Sequence, residues 1–310
     1  MSFTRTPSPT SARKVALITG GTFGIGRATA EGLARKGYQV VLTGRDRNRA
    51  ETAVRQIQQA TGNAEISSLL GDFTLTSEVK RLADRFLEQH QRLDVLINNA
   101  GGQFSTRALT PEGFERTWAL NHLAYAALTL KLLPVLQQSR PARIVNVASG
   151  WYSRNLPWKD LTRERGYHAG VAYLESKLAN ILFTYALARR LEGSGITVNA
   201  VNPGMIDTGL GRGSTGLNQL IQVLLQPLRK SPETGAFPSL HLASAAEVEG
   251  ITGQFFDKTR FRPTARFTQN PELQDRLWKV TLEQLQMAET GLLSGLNRQQ
   301  VNPSHPVLHP

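Results

Sequence analysis

Short apolar runs alternate with longer amphipathic stretches along most of the chain. The first run, residues 15–19, leads directly into glycines, which is typical of a buried parallel strand. Predicted strands span 15–19, 40–43, 65–70, 93–98, 143–148, 196–201 and 254–256. Predicted helices span 26–36, 48–61, 77–90, 112–136, 168–192, 233–245 and 271–290. This alternation predicts the α/β class, with helices on both faces of one doubly wound, seven-stranded parallel sheet.

The two ends of the chain lack this periodicity. Residues 1–13 are rich in Ser, Thr and Pro, and we expect them and residues 291–310 to be flexible tails. A single folded domain is expected over 14–290, with a helix at 271–290 packed on its body. Within it, the segment at about 205–232 has apolar residues at helical spacing. They are Leu217, Leu220, Ile221, Leu224, Leu225 and Leu228.

Three interpretations of the segment at 205–232 stay open. It is a mobile lid over a lipophilic substrate, a helix that packs on the body, or an interface to another subunit. A spacing of apolar residues describes one face of a helix but not what covers that face.

Composition narrows the classes of function. The chain has 310 residues, of which 40% are hydrophobic, and it has no cysteine, which excludes disulfides and thiol chemistry. Its net charge of +12 is spread over many segments, so we expect no nucleic-acid partner.

The histidines have no metal-binding spacing, and we predict no metal. Apolar runs stop short of the ~18 residues of a membrane span, and no signal pattern begins the chain, so we expect a soluble cytoplasmic protein.

A glycine-rich turn joins the first predicted strand to the first helix. The segment 19–26 reads TGGTFGIG. Gly20 would permit the turn, Gly24 would let the backbone approach a pyrophosphate, and Gly26 would allow close helix packing. Thr22, Phe23 and Ile25 complete this loop at a helix N-terminus, which attracts anions. The spacing predicts a dinucleotide site in a Rossmann-like fold.

The end of the second predicted strand bears on the choice of dinucleotide. Arg45 follows Gly44 there, and a guanidinium suits a 2′-phosphate, so we favour NADP over NAD. Asp46 is the alternative, because it would bind the ribose hydroxyls if the strand ended later. Asp72 follows the third strand, where it would meet the adenine edge or form a turn.

Tyr173 and Lys177 lie four residues apart in the helix predicted at 168–192, so they project from one face. An ammonium close to a phenol favours phenolate and would lower the tyrosine pKa towards neutrality. The same spacing also occurs by chance on surface helices. Ser149 ends the fifth predicted strand, and Asn121 lies in an apolar helix where its amide needs partners.

Together these motifs resemble the short-chain dehydrogenase/reductase superfamily over residues 14–260. The motifs are TGGTFGIG, NNAG at 98–101, Asn121, Ser149, YLESK at 173–177 and NPG at 202–204. The segments RIVNVAS, AYLESKLANILFTYALARRL and SPETGAFPSLHLAS are similar to its retinol dehydrogenase-like and protochlorophyllide reductase-like branch. Protochlorophyllide reductases use a cysteine, which this chain lacks, and membrane-bound retinol dehydrogenases usually have an N-terminal anchor where this chain has a short polar tail.

The resemblance implies a role for each matching residue. Tyr173 would be the acid/base at the substrate oxygen, Lys177 would lower its pKa and bind the nicotinamide ribose, and Ser149 would polarise the carbonyl. Asn121 would hold a water that links Lys177 to solvent. The remaining cofactor contacts would come from Asn98, Ala100, Gly101, Pro203, Gly204 and Thr208.

We therefore expect an NADP-dependent oxidoreductase that interconverts a carbonyl and an alcohol on a hydrophobic small molecule. A non-enzymatic NADP-binding regulator and a nucleotide-sugar epimerase or dehydratase are the alternatives. The substrate side should come from loops that carry Phe104, Trp151, Tyr152 and Trp158. Relatives of this kind often dimerise through the helices that correspond to 112–136 and 168–192, so we expect a homo-oligomer.

Overall fold

Eight strands form one sheet in the computed structural model, which describes residues 13–204 and 231–292. The strands are β1 Val15–Ile18, β2 Gln39–Gly44, β3 Ile66–Leu70, β4 Val95–Asn98, β5 Ala142–Val147, β6 Ile196–Asn202, β7 Phe255–Asp257 and β8 Arg260–Phe261. The helices are α1 Gly24–Arg35, α2 Arg47–Thr61, α3 Thr76–Gln89, α4 Arg116–Gln138, α5 Ala169–Arg190, α6 Pro232–Ser244, α7 Pro271–Leu285 and α8 Glu289–Leu292. The predicted α/β class is confirmed.

The sheet has the order β3-β2-β1-β4-β5-β6-β7-β8, and β1 to β7 are parallel. The chain moves outward from β1 to β3 and then crosses back to β4, which creates a switch point between β1 and β4. Ligands bind at such points beyond the carboxyl ends of the strands. The seven predicted parallel strands are present, and the sheet has an eighth strand, β8, which pairs antiparallel with β7 over only two residues. A strand that short has no detectable periodicity.

Two hydrophobic layers explain the uninterrupted apolar strands. Leu17 packs in the layer under α3, α4, α5 and α7, whereas Ile18 packs in the layer under α1, α2 and α6. Both residues are fully buried. Successive side chains point to opposite faces of a sheet, so a strand that is covered on both faces is apolar at every position.

Helix α4 begins at Arg116 instead of the predicted residue 112. Glu115 caps it, since its carboxylate accepts hydrogen bonds from the backbone N–H groups of Thr117 (2.9 Å) and Trp118 (2.8 Å). Glu112 instead accepts from the backbone N–H of Thr76 at 2.7 Å, so it caps the first turn of α3. Either glutamate could cap a helix by local sequence, and the tertiary contact with α3 decides between them.

The long helix α4 includes a π-helical turn at Ala119–Leu123. By length and composition alone α4 could cross a membrane, with a mean hydropathy of 1.3. Inside the fold, 83% of its apolar stretch is buried, as in the core helix of a folded domain.

The C-terminal helix α7 packs across α4 and α5 and ends at Gln286, which has a left-handed conformation (φ 52°). The predicted helix at 271–290 is therefore divided into α7 and α8. Trp278 is buried against Phe183 of α5, and Thr281 bonds to His122 of α4 at 2.8 Å. These contacts cover part of the surfaces of α4 and α5 within one chain. Most residues of the two predicted tails lie outside the described residues. The leucine pattern at 217–228 lies outside them entirely.

Candidate active site

A cleft of about 460 Å³ opens at the carboxyl ends of the strands, beside the switch point. Most of the predicted site residues line it. They are Gly20, Thr22, Phe23, Gly24, Ile25, Gly26, Arg45, Asp72, Ala100, Gly101, Ser149, Tyr173, Lys177, Pro203 and Gly204. Asn98 and Asn121 lie beside or beneath the cleft without lining it, and Thr208 lies outside the described residues.

The glycine loop has the backbone geometry that its sequence predicts. Gly20 and Gly24 have φ of 63° and 55°, which side chains disfavour. A Cβ on Gly26 would lie 2.3 Å from the carbonyl oxygen of Gly20, so only glycine fits there. Phe23, at the N-cap of α1, has no side-chain acceptor, so it does not cap the helix. The first turn of α1 lines the cleft with the positive end of its helix dipole, a geometry that suits an anion.

Asn99 ties the glycine loop to the end of β4, a role that the sequence analysis missed. Its side-chain Nδ2 donates to the carbonyl of Thr19 at 2.8 Å, and its backbone N–H donates to the Thr19 hydroxyl at 2.8 Å. The N–H of Ala100 donates to the same hydroxyl at 2.9 Å. The sequence does contain a hint of this role, because Asn99 directly follows a buried strand and precedes the small residues of the same loop.

At the far end of the cleft, the structure separates the roles of Arg45 and Asp46. Strand β2 ends at Gly44, and Arg45 lines the cleft. The carboxylate of Asp46 instead accepts from the backbone N–H of Arg49 at 2.9 Å and caps α2. Asp46 is therefore oriented towards its own helix, which leaves Arg45 as the charged residue of this turn that lines the cleft.

Asp72 forms the turn that was one of its two predicted roles, and it also lies in the cleft lining. Its carboxylate accepts from the backbone N–H and the hydroxyl of Thr74, both at 2.8 Å, which makes it a turn-forming residue. Asp72 also lines the cleft next to Arg45. The turn fixes the carboxylate, so its position does not depend on a ligand.

Tyr173, Lys177 and Ser149 come together at the other end of the cleft. Helix α5 places Lys177 one turn after Tyr173, and the lysine Nζ lies 5.5 Å from the centre of the tyrosine ring. The same Nζ donates to the carbonyl of Val147, the last residue of β5, at 3.0 Å. The Ser149 hydroxyl lies close enough to the Tyr173 phenol to act on its pKa, which it lowers. A phenol, an ammonium and a hydroxyl therefore share one corner of the cleft.

Burial controls the protonation of this group. Desolvation raises the pKa of Tyr173 to about 12, against the opposing effect of the Ser149 hydroxyl. Desolvation also lowers the pKa of Lys177 to about 8. The predicted lowering of the tyrosine pKa by Lys177 was wrong for the protein without ligands, because desolvation of the half-buried phenol and of the buried ammonium favours the neutral form of each.

Asn121 anchors the loop that follows β4. Its Oδ1 accepts from the backbone N–H of Gly102 at 2.8 Å, and its Nδ2 donates to the Gly102 carbonyl and the Ser176 hydroxyl, each at 2.9 Å. The amide therefore links α4, the cleft wall and α5. It lies close to Lys177, because a Cβ built on Gly101 would be 3.4 Å from Asn121 Oδ1 and 3.8 Å from Lys177 Nζ.

Asn98 lies in the core below the cleft. Its Nδ2 donates to Asn146 Oδ1 at 2.8 Å and to the Thr129 hydroxyl at 2.9 Å. The side chain is fully buried and joins β4 to β5 and α4. Its contribution to the cleft is thus indirect, through the strands that carry Ala100 and Ser149.

Tyr125, one turn after Asn121, is a further residue that the sequence analysis did not select. Its ring centre lies 6.0 Å from Lys177 Nζ, and its hydroxyl donates to the Val147 carbonyl at 3.5 Å. Burial raises the pKa of Tyr125 well above its usual value, so it stays a neutral phenol. Tyr125 therefore packs on the buried side of the Lys177 ammonium. Its spacing of four residues from Asn121 places both on one helix face, and this spacing could have identified it from the sequence.

On the substrate side, only one of the four candidate aromatics lines the described part of the cleft. Phe104 lies there with Gln103 and Leu120. Trp151 is 75% exposed, and Trp158 stacks against the guanidinium of Arg276 at 4.3 Å. Tyr152 accepts a hydrogen bond from the backbone N–H of Ala265 at 2.9 Å. Loop aromatics pack on neighbouring elements as readily as on ligands, and periodicity does not distinguish the two.

Comparison with known proteins agrees with this arrangement. The profile of the short chain dehydrogenase family matches residues 14–215. Human retinol dehydrogenase 12 is 40% identical over 276 residues, which cover 88% of this chain and 86% of that protein. A crystal structure of an uncharacterised protein from Mycobacterium paratuberculosis has 31% identity and a TM-score of 0.70, and covers 89% of this chain and 94% of its own.

A Pseudomonas aeruginosa RhlG structure, an active-site complex with NADP, has 27% identity and a TM-score of 0.62. The match covers 80% of this chain and 95% of that one. The chain belongs to the short-chain dehydrogenase family, in its retinol dehydrogenase-like branch. It is accordingly an oxidoreductase that uses a nicotinamide cofactor and acts on alcohol or carbonyl groups.

Proposed function

We propose that the protein is an NADP-dependent oxidoreductase that interconverts a carbonyl and an alcohol on a hydrophobic small molecule. The observation that carries this proposal is the contact of Ser149, Tyr173 and Lys177 at one end of a cleft whose other end is a glycine loop. A dinucleotide that spans this cleft would place its reactive ring beside the phenol.

The residues of the cleft suit such a dinucleotide. The pyrophosphate would lie against Gly24 and the first turn of α1, where a side chain on Gly26 would collide with the loop. Arg45 would hold the 2′-phosphate of NADP. Asp46 caps α2, so no carboxylate from this turn repels that phosphate, which supports NADP over NAD. When bound, the nicotinamide supplies or accepts the hydride.

Tyr173 would hold the proton that the reaction moves. With a pKa of about 12, its phenol is protonated at neutral pH, and a protonated phenol can donate to a carbonyl oxygen. Ser149 would orient and polarise the same oxygen. Lys177, held by the Val147 carbonyl, would stabilise negative charge on the phenol after donation.

The expected substrate is apolar next to its reacting group. Phe104 and Leu120 are among the apolar residues that line the described part of the cleft, as are Val147 and Ala148 directly before Ser149. Human retinol dehydrogenase 12, by its name, oxidises an apolar alcohol, and it aligns with most of this chain. These two observations favour lipophilic aldehydes and ketones over sugars or nucleotides.

NADPH consumption measured against a panel of aldehydes, ketones and enones tests this proposal, with retinal and a polar sugar aldehyde included. We expect turnover with lipophilic carbonyls and little with the sugar. NADH in place of NADPH is the cofactor control. Tight NADPH binding without turnover of any carbonyl or alcohol would refute the proposal and favour a regulatory protein.

A further inference from the structure

A buried ion pair lies behind the catalytic helix and has no part in the proton transfer. Glu175 is two residues from both Tyr173 and Lys177, so it points about 200° around α5 from Tyr173, away from the cleft. Its side chain is 7% exposed, and that of its partner Arg163 is 18% exposed. Arg163 Nε donates to Glu175 Oε2 at 2.9 Å, and Arg163 Nη2 donates to Oε1. The contact is a two-pronged guanidinium–carboxylate pair, which fixes orientation as well as distance.

Arg163 belongs to the β5–α5 loop (residues 150–168), which follows Ser149 and returns to α5. Its backbone has φ of 53°, a left-handed conformation that is uncommon for a residue with a side chain. Such a conformation persists only where the surroundings hold it. The Arg163 N–H donates to the carbonyl of Asp160 at 3.0 Å, and the Asp160 carboxylate accepts from the N–H of Glu164 at 2.8 Å. This turn directs the Arg163 side chain at α5.

Hydrogen bonds connect the β5–α5 loop to the segment that follows β4 on either side of Arg163. The carbonyl of Thr162 accepts from Arg107 Nε at 3.0 Å. The Tyr167 hydroxyl donates to the carbonyl of Phe104 at 2.7 Å. Phe104 lines the cleft, so the loop supports the wall that faces the substrate. The Arg163–Glu175 pair is the charged link between this assembly and the helix that carries Tyr173.

The charges around the pair explain why each partner needs the other. Burial raises the pKa of Glu175, and Arg163 opposes this shift. Asp160 and Glu115 also face Glu175 and disfavour its charge. Glu115 itself is buried, at 1% exposure, at the N-terminus of α4. If either partner is removed, the charge of the other remains in a largely buried place without an opposite charge. The loop must then move so that water can solvate that charge.

We propose that Arg163 and Glu175 are positioning residues, whose ion pair holds the β5–α5 loop and Phe104 in the geometry that forms the substrate side of the cleft. The proposal rests on the proposed function for its kinetic part. Loss of the pair should weaken substrate binding and leave the cofactor end of the cleft unchanged, because none of the loop contacts described above reaches the glycine loop or Arg45.

The test compares E175Q with D275N. Asp275, on α7, binds Arg189 at 2.7 Å and Arg190 at 2.9 Å near the other end of α5, so D275N also replaces an arginine-bound carboxylate by an amide. We expect E175Q to raise KM for the carbonyl on the order of tenfold, since a displaced cleft wall misplaces the substrate. kcat, the Kd for NADPH and the pH profile of kcat should stay near the wild-type values. D275N should leave KM unchanged.

R163K provides a second, milder variant if E175Q does not fold. Lysine keeps the charge but not the planar two-pronged contact, so its KM should lie between those of the wild type and E175Q. Equal losses of melting temperature in E175Q and D275N, with unchanged KM in both, would overturn the proposal. A normal KM in R163K together with an unfolded E175Q would also overturn it.

Hydrogen exchange of backbone amides provides a readout without turnover. E175Q or R163K should speed exchange across residues 150–168 while exchange in α1 stays at the wild-type rate, and D275N should not affect the loop. If the wild type has no turnover but the loop responds in this way, the proposed function fails while the role of the pair in holding the loop is supported. Unchanged loop exchange in the Arg163 and Glu175 variants overturns the inference.

Discussion

Replacement of Gly26 by alanine tests how the glycine loop binds its ligand. The new Cβ would lie 2.3 Å from the Gly20 carbonyl oxygen and 2.5 Å from Asn99 Nδ2, whereas ordinary contacts begin at 3.4 Å. The start of α1 would have to move by about 1 Å away from the loop to restore normal contact. Overpacking of this kind costs about 1–3 kcal/mol of folding stability.

The same movement should weaken cofactor binding. It displaces the backbone N–H groups at the start of α1 and strains the Asn99 hydrogen bond to Thr19. One lost hydrogen bond to a charged phosphate is worth about 1.5–3 kcal/mol, so the Kd for NADPH should rise by about 10- to 150-fold. Fluorescence titration with NADPH measures the affinity, and urea unfolding measures the stability.

Gly32→Ala in the same helix is the matched control. Its Cβ would meet the end of the flexible Leu240 side chain at 2.7 Å, on the side of α1 that faces α6. That side chain can move, so NADPH affinity should stay close to wild type. Wild-type affinity in G26A, or an equal loss of affinity in both variants, would refute the proposed contact between α1 and the pyrophosphate.

Three further predictions concern the chemistry of the cleft. Tyr173→Phe should lower kcat by about 10²- to 10⁴-fold, the range of general acid catalysis, and leave the Kd for NADPH nearly unchanged; retained turnover would remove Tyr173 from the acid/base role. Arg45→Asp should weaken NADPH more than NADH, and an unchanged affinity ratio in the same titrations would exclude a phosphate contact. The lowered pKa of Lys177, about 8, means that the ammonium is charged below this pH and loses its proton above it. kcat/KM for NADPH, which reports groups of the free enzyme, should therefore be level below pH 8 and fall above it, whereas a flat profile to pH 10 would contradict the role of Lys177 in cofactor binding.

Much of this fold follows from local sequence. Alternation of short apolar strands with amphipathic helices predicts a doubly wound sheet, because each strand must be covered on both faces. The glycine loop is equally local, since the positive φ values at Gly20 and Gly24 require glycine whatever the rest of the chain does. Tyr173 and Lys177 share a face because any α-helix places residues four apart on one side.

Other features depend on contacts between distant residues. Glu112 and Glu115 both precede α4, and only the contact with Thr76 and Ser77 assigns Glu112 to α3. Asn98 and Asn121 fit their motifs, yet their amides bind neighbouring strands and loops instead of lining the cleft. Hydrogen-bond partners of a side chain lie far away in sequence, so a motif identifies the residue without identifying its contacts.

The protonation of Tyr173 and Lys177 shows most clearly what depends on the tertiary structure. Sequence places an ammonium one turn from the Tyr173 phenol, and Coulomb attraction alone would lower the tyrosine pKa. The tertiary structure buries Lys177 and half-buries Tyr173 at the ends of the strands, and desolvation then raises the pKa of Tyr173 to about 12 and lowers that of Lys177 to about 8. Spacing along a helix is a local property, whereas desolvation depends on everything that packs around a group. Residue types and spacing therefore determined the fold class and the chemistry, and the packed structure decided the protonation, the hydrogen-bond partners and the buried Arg163–Glu175 pair.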